Sequence, residues 1–121
     1  MFRYNAKVLN VVDGDTFDVE IDLGFHIIIR QRVRLAGVDT PEMNSSDTTM
    51  REKAKEAKKF VFDKFLAAKN QITIESVKPA DKFGRYLARV QYFDNGKLND
   101  LAAELIAVGL GSTYFGTKRE I

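Results

Sequence analysis

The chain has no cysteine and no tryptophan, a single histidine and only two prolines. Without cysteine there is no disulfide staple, no thiolate zinc site, no iron–sulfur cluster and no cysteine nucleophile. One histidine, His26, excludes a two-histidine metal site and makes imidazole acid–base chemistry a poor bet. Eight glycines and two prolines in 121 residues exclude collagen-like and mucin-like chains. With 45% apolar and 30% charged residues, bulk disorder is excluded as well. Long apolar runs are missing too. Stretches such as Ile27–Ile28–Ile29 fall far short of the ~18 residues a membrane span needs, so no membrane partner is expected. The opening Met-Phe-Arg-Tyr-Asn-Ala-Lys lacks the apolar stretch of a signal peptide. The expected compartment is cytoplasmic, including a phage or plasmid gene in a bacterial host, unless a leader was removed from a secreted form.

What remains is one domain of 121 residues, long enough for a core of its own. The net charge of +2 permits a nucleic-acid partner without pointing to one. Its distribution is more telling. Met1–Met50 carries 5 basic and 8 acidic residues, net −3, and Arg51–Ile121 carries 14 and 9, net +5. An acidic half joined to a basic half suits carboxylates holding a cation beside a surface that holds an anion. A lysine-rich solvated helix would give the same asymmetry.

The hydrophobic pattern predicts strands over Tyr4–Val12 and Thr16–Leu23, parted by Asp13-Gly14-Asp15 with a glycine suited to positive φ. Phe17, Val19, Ile21 and Leu23 alternate with Asp18, Glu20 and Asp22, so one face is buried and one wet. Phe25–Ala36 reads as a third strand. Thr49-Met50-Arg51-Glu52 reads as a capping box opening a helix of about 18 residues. Its apolar stripe is Ala54, Ala57, Val61, Phe65 and Ala68, with Arg51, Lys53, Lys55, Lys58, Lys59 and Lys64 mostly off it. Strands follow at Ile72–Lys78 and Arg85–Phe93, with a turn at Asp94-Asn95-Gly96. Asn99 is the expected cap of a second helix, Asp100–Val108, ended by Gly109, with Leu101, Leu105 and Val108 inward and Ile106 beside them. The order β-β-β-α-β-β-α is that of an OB-fold barrel: mainly β with some α, five strands and two helices.

Four constellations could carry chemistry. Val12-Asp13-Gly14-Asp15-Thr16 places two carboxylates at a strand corner, or is a plain hairpin turn. In Arg34-Leu35-Ala36-Gly37-Val38-Asp39-Thr40-Pro41-Glu42 a strand ends in a loop bearing Asp39, Thr40 and Glu42, where Pro41 biases Thr40 to an extended backbone. Asp81-Lys82-Phe83-Gly84-Arg85 delivers an arginine to a strand start. Gly109-Leu110 with Tyr114 and Phe115 reads most simply as a helix stop and late core aromatics.

All four in this order, in such a chain, resemble the staphylococcal-nuclease family, also called thermonuclease or micrococcal-nuclease-like. The likeness runs from about Lys7 to Leu110. It implies a calcium-dependent OB-fold nuclease that hydrolyses phosphodiester bonds of DNA and RNA, favours single-stranded or unwound substrate, and leaves 3′-phosphate ends. By the same resemblance Asp15, Asp39 and the Thr40 carbonyl are direct Ca²⁺ ligands, with Asp13 as a candidate in the outer shell. An all-oxygen set is the kind that suits Ca²⁺ rather than zinc. Glu42 is the implied general base, and Arg34 and Arg85 fork onto the phosphate. Lys82, Phe83, Tyr114 and Phe115 are candidate substrate contacts. Arg30 and Arg32 share the alternation of Arg34 and are candidate phosphate guides. His26 is read as passive and half-exposed.

Two departures stand out. Phe83 and Phe115 replace tyrosines that line the family's nucleotide pocket, keeping a stacking face but losing a hydroxyl. The family's third, C-terminal helix is expected to be absent. The rival class is a non-catalytic nucleic-acid or protein-binding module of the same fold, against which the intact Asp15, Arg34, Asp39, Glu42 and Arg85 count. A monomer is the default, with the oligomeric state open.

Overall fold

A computed structural model describes residues 2–78 and 86–114, leaving out the side chains of Lys78 and Tyr114. The elements run β1 Arg3–Asp13, β2 Thr16–Asp22, β3 Ile28–Leu35, β4 Gly37–Asp39, α1 Thr48–Ala67, β5 Gln71–Lys78, β6 Tyr86–Asp94, β7 Lys97–Asp100, α2 Leu101–Ala107 and β8 Ser112–Tyr114. The sheet order is β3-β2-β1-β5-β6-β7, and β3 pairs with β6 as well. That extra pairing is parallel, runs from Val33↔Tyr86 to Leu35↔Ala88, and closes β1, β2, β3, β5 and β6 into a five-stranded barrel. With two helices, this is the expected OB-type architecture.

The alternation in β2 works as the sequence suggests: Phe17, Val19 and Ile21 are buried while Asp18, Glu20 and Asp22 face outward. The outward carboxylates meet arginines across the ladder, Asp18 with Arg32 at 2.8 Å and Glu20 with Arg30 at 3.3 Å. The Arg32 hydrogen bond holds the Asp18 carboxyl below its ordinary range. Helix α1 covers one end of the barrel. Its stripe of Ala54, Ala57, Val61 and Phe65 is buried, and the Phe65 ring meets Phe17 and Tyr92 edge-on at 5.1 and 6.5 Å. Tyr92 donates its hydroxyl to Glu104 of α2, which ties the second helix to the barrel. Burial pushes the Tyr92 phenol up, and the bond to Glu104 adds to it.

Several boundaries differ from the sequence reading. The third strand begins at Ile28, because Gly24, Phe25 and His26 form a tight left-handed turn at φ +83°, +54° and +63°. His26 is fully in that turn and exposed, rather than in a strand. Bulky residues at positive φ sit in sparsely populated backbone, at a cost of order 1 kcal/mol or more each. Three short strands, β4, β7 and β8, were hidden in segments read as loop or helix.

Both helix caps also move. Asp47, not Thr49, caps α1: its carboxylate accepts from the backbone N–H groups of Thr49 and Met50. Asp100 caps α2 by accepting from the Ala103 N–H, while Asn99 lies in β7. In each case the carboxylate accepts directly from backbone N–H groups of the first turn. Buried on α2 are Leu101, Ala102 and Leu105, whereas Val108 and Ile106 are exposed, because the helix is only two turns long. Gly109 ends it at φ +76°, as expected. Among the described residues no helix is long and apolar enough to cross a membrane.

The cap correction has a direct test. In urea unfolding, Asp47→Ala is expected to cost about 1 kcal/mol and Thr49→Ala only a few tenths. Equal losses would return the cap to Thr49.

Candidate active site

The site lies where the barrel closes. The β3 segment that pairs with β6 contains Arg34, and the β1–β2 corner stands beside it through the pair Thr16↔Arg34 and the bond from the Leu35 N–H to the Asp15 carbonyl. From Gly37, at φ +88°, the chain turns into β4, which ends at Asp39. Strand β8 pairs with β4, Asp39↔Ser112, and steadies that end.

Arg34 is the hub. Its guanidinium is nine-tenths buried and donates to four oxygens: the carbonyls of Leu35 (3.1 Å) and Val38 (3.3 Å), Asp39 Oδ1 (2.9 Å) and Asp15 Oδ2 (3.5 Å). Two carboxylates thus converge on one nitrogen, Nη2. Asp15 is held on both oxygens, Oδ1 accepting from the Thr16 hydroxyl and Oδ2 from the Thr40 N–H, each at 3.0 Å. Asp39 is more open than Asp15. Burial pushes the Asp13 carboxyl up from the aspartate range, and the charges of Asp15 and Glu42 add to this. A bond from the Met43 N–H and the charge of Lys58 oppose it. Glu42 is exposed, and its carbonyl accepts from the Ser45 N–H.

The structure therefore brings Asp15, Arg34, Asp39 and Thr40 into one constellation, with Asp13 and Glu42 within electrostatic reach. Lys82, Phe83, Arg85 and Phe115 lie outside the described residues. Tyr114 is placed by its backbone alone, opposite Gly37 in the β4–β8 pair. Arg30 and Arg32 point away from the barrel into ion pairs with Glu20 and Asp18, well apart from Arg34 in their chemistry.

A cleft of about 250 Å³ opens beside Asp39 and Thr40, walled by Pro41, Leu110 and Ser112, with Lys53 as a basic residue on its lining. Sequence reading left Lys53 and Lys58 among the helix lysines. Only the packing of α1 under the corner gives them neighbours at the site. Gly111 went unnoticed as well: a Cβ there would sit 2.5 Å from Val38 Cγ2, so the strand bearing Asp39 needs a glycine against it. No periodic signal marks a residue that is small because another chain segment passes close by.

The donor chemistry fits a hard cation. Among the described residues no group of three or more His, Cys, Asp or Glu side chains is placed to hold a metal. The available set is two converging carboxylates, all oxygen, the donor type that hard cations take. The Thr40 hydroxyl, buried and without a hydrogen-bond partner among the described residues, adds an oxygen that a water could satisfy.

Against this geometry the comparisons are specific. The profile of the family described as "Staphylococcal nuclease homologue" matches residues 32–120. The chain belongs to that family, a nuclease-like one. It is 32% identical to an uncharacterized protein of Methanocaldococcus jannaschii, the match taking in 93% of this chain and 60% of that one. It is 39% identical to an uncharacterized protein of Bacillus anthracis, over 82% of this chain and 44% of the relative. A thermonuclease of Staphylococcus intermedius is 35% identical, over 83% of this chain and 56% of the enzyme. The chain thus spans about half the length of the curated relatives it matches.

Gly14 makes the corner's packing testable. Its φ is not in the left-handed region, contrary to the turn reading. It is glycine because a Cβ would meet Ala57 Cβ at 2.8 Å and the Thr40 hydroxyl at 3.1 Å. Gly14→Ala is expected to lower stability by about 1–3 kcal/mol, the range for overpacking. Adding Ala57→Gly should recover part of that loss in a double-mutant cycle read by thermal unfolding. Independent, additive effects would show that the corner and helix do not touch as described.

Proposed function

We propose that this chain is a calcium-dependent nuclease acting on DNA and RNA, favouring single-stranded or unwound strands and leaving 3′-phosphate ends. The observation that supports it most is the convergence of Asp15 and Asp39 on the buried Arg34 guanidinium, beside the Thr40 backbone. Membership of a nuclease-like family, and the thermonuclease among the relatives, support it at a coarser level.

In this reading Asp15, Asp39 and the Thr40 carbonyl hold the ion, with Asp13 contributing negative potential from the outer shell. A Ca²⁺ held there would supply positive charge to a phosphoryl oxygen. The protein residues do the rest. Asp15, held through both oxygens, keeps the donor set in place before substrate arrives. Glu42, exposed on the loop after Thr40, takes the proton of the attacking water. Arg34, its guanidinium held by the Leu35 and Val38 carbonyls, supplies positive charge for the growing phosphate charge. Arg85 is assigned the same task by its place in the sequence, and Lys82, Phe83, Tyr114 and Phe115 the contacts to backbone and base. The compartment is proposed to be cytoplasmic, unless the chain is the mature part of a secreted protein.

Digestion of single-stranded DNA with Ca²⁺ and with EGTA tests the whole reading. Cleavage should require Ca²⁺. Cleavage that ignores EGTA would sink the calcium assignment, and binding without cleavage would favour the non-catalytic module. Glu42→Gln and Arg34→Ala should each slow turnover by about 10²–10³-fold, the usual loss for one transition-state group. Asp15→Ala should instead raise the Ca²⁺ concentration needed for half-maximal rate. A near-normal rate in Glu42→Gln would place the base elsewhere.

A further inference from the structure

The end of the barrel away from α1 has no cover among the described residues. A cavity of about 230 Å³ opens there, walled by Ile21, Leu23, Ile29, Val33, Ile74 and Tyr86. Engineered cavities of about 150 Å³ lined by such residues take up benzene, so this one has room for an aromatic ring. Beside it the β2–β3 hairpin projects an unusual tip. Phe25 is 95% exposed, Ile27 53% and Ile28 56%, and Phe2 and Ile29 extend the patch. Phe25 holds this position in left-handed backbone, where a glycine or asparagine would sit more easily. A bulky aromatic kept in strained backbone with its ring in water is poorly explained by the needs of the turn alone.

A second feature adjoins the patch. Strand β3 pairs with β6 only from Val33 onward. Among the described residues, no strand pairs with Ile28–Arg32 on the side away from β2. An open edge is a template for another strand.

We propose that two copies of this chain associate through this face. The β3 edges pair antiparallel about a twofold axis, and each Phe25 covers the other copy's open barrel end. Charge sets the register. Centring the pairing on Arg30 would oppose two like charges, which destabilises a ladder. Centring it on Ile28, so that a residue faces its own symmetry mate as a twofold ladder requires, sets Ile27 against Ile29 and brings each hairpin tip alongside the other copy's Arg30–Arg32 stretch. That stretch includes Gln31, on the wall of the cavity. The exposed side chains of Phe2, Leu23, Phe25 and Ile27–Ile29 present on the order of 700 Å², close to the ~800 Å² each partner buries in a standard interface. A membrane surface fits less well. The edge would carry unpaired backbone N–H and C=O groups into hydrocarbon, with exposed Asp22 beside them.

The proposal is independent of the nuclease reading. The pairing centre at Ile28 lies six residue steps along β3 from Arg34, about 20 Å at about 3.3 Å each.

Sedimentation velocity of the whole chain up to about 100 μM should reveal a species of twice the chain mass. Phe25→Ser and Ile28→Lys, both at exposed positions, should each weaken the dimer at least tenfold with unchanged circular dichroism. Amide exchange at Ile28–Arg32 should slow as wild-type concentration rises, and not in Ile28→Lys. A wild-type monomer at 100 μM, or a dimer indifferent to both substitutions, overturns the proposal. So does co-sedimentation of a monomer with anionic phospholipid vesicles that Phe25→Ser abolishes, since this would assign the patch to a membrane.

Discussion

The site depends on one buried charge. Arg34 lies nine-tenths out of water, and a guanidinium there must be paired or its desolvation would cost several kcal/mol. Asp15 and Asp39 pair it, and the carbonyls of Leu35 and Val38 absorb further donors. The two acids come from separate segments, one from the corner after β1 and one from the end of β4. The arginine lies in the only stretch of β3 that closes the barrel. Closure and site assembly are therefore one event: the strands that seal the barrel also bring the opposite charges together.

Around this pair the charge balance is local rather than global. The acidic first half supplies Asp13, Asp15, Asp39 and Glu42, and the basic second half sends α1 beneath the corner, where Lys58 already tempers Asp13. A near-neutral total conceals two opposed surfaces in contact. A dication among the carboxylates would shift that balance by two charges within a few ångströms, a change as large as the entire net charge of the chain. The two ends of the barrel are just as unlike. Helix α1 plugs one with Val61 and Phe65, while among the described residues the other ends in an apolar mouth, an open strand edge and the exposed Phe25.

Much of the fold was legible because periodicity is a local record of burial. Alternation marked Phe17, Val19 and Ile21, and three- and four-residue spacing marked Ala54, Ala57, Val61 and Phe65; all seven are buried. The caps were misread by one or two residues, since Asp47, Thr49, Asn99 and Asp100 are all good capping types and only backbone direction chooses among them. Strands β4, β7 and β8 are three or four residues long, too short for a period to register. Of the candidate site residues, Asp15, Arg34, Asp39 and Thr40 were found by motif order and do come together.

The sequence by itself determined the five barrel strands and two helices, most of their inward faces and the chemical character of the site: oxygen donors, arginines, no thiol and no histidine pair. Those properties reside in single residues or their immediate spacing. Tertiary structure decided which groups meet. That Arg34 bonds both acids rather than facing water, that Gly14 and Gly111 are small because another segment passes within van der Waals distance, and that among the described residues β3 keeps half an edge unpaired are outcomes of closing the barrel. Contacts between residues 19 to 88 positions apart, such as Asp15 with Arg34 and Arg3 with Gln91, leave no local pattern to read, because the chain between them is free to fold in many ways until the strands pair.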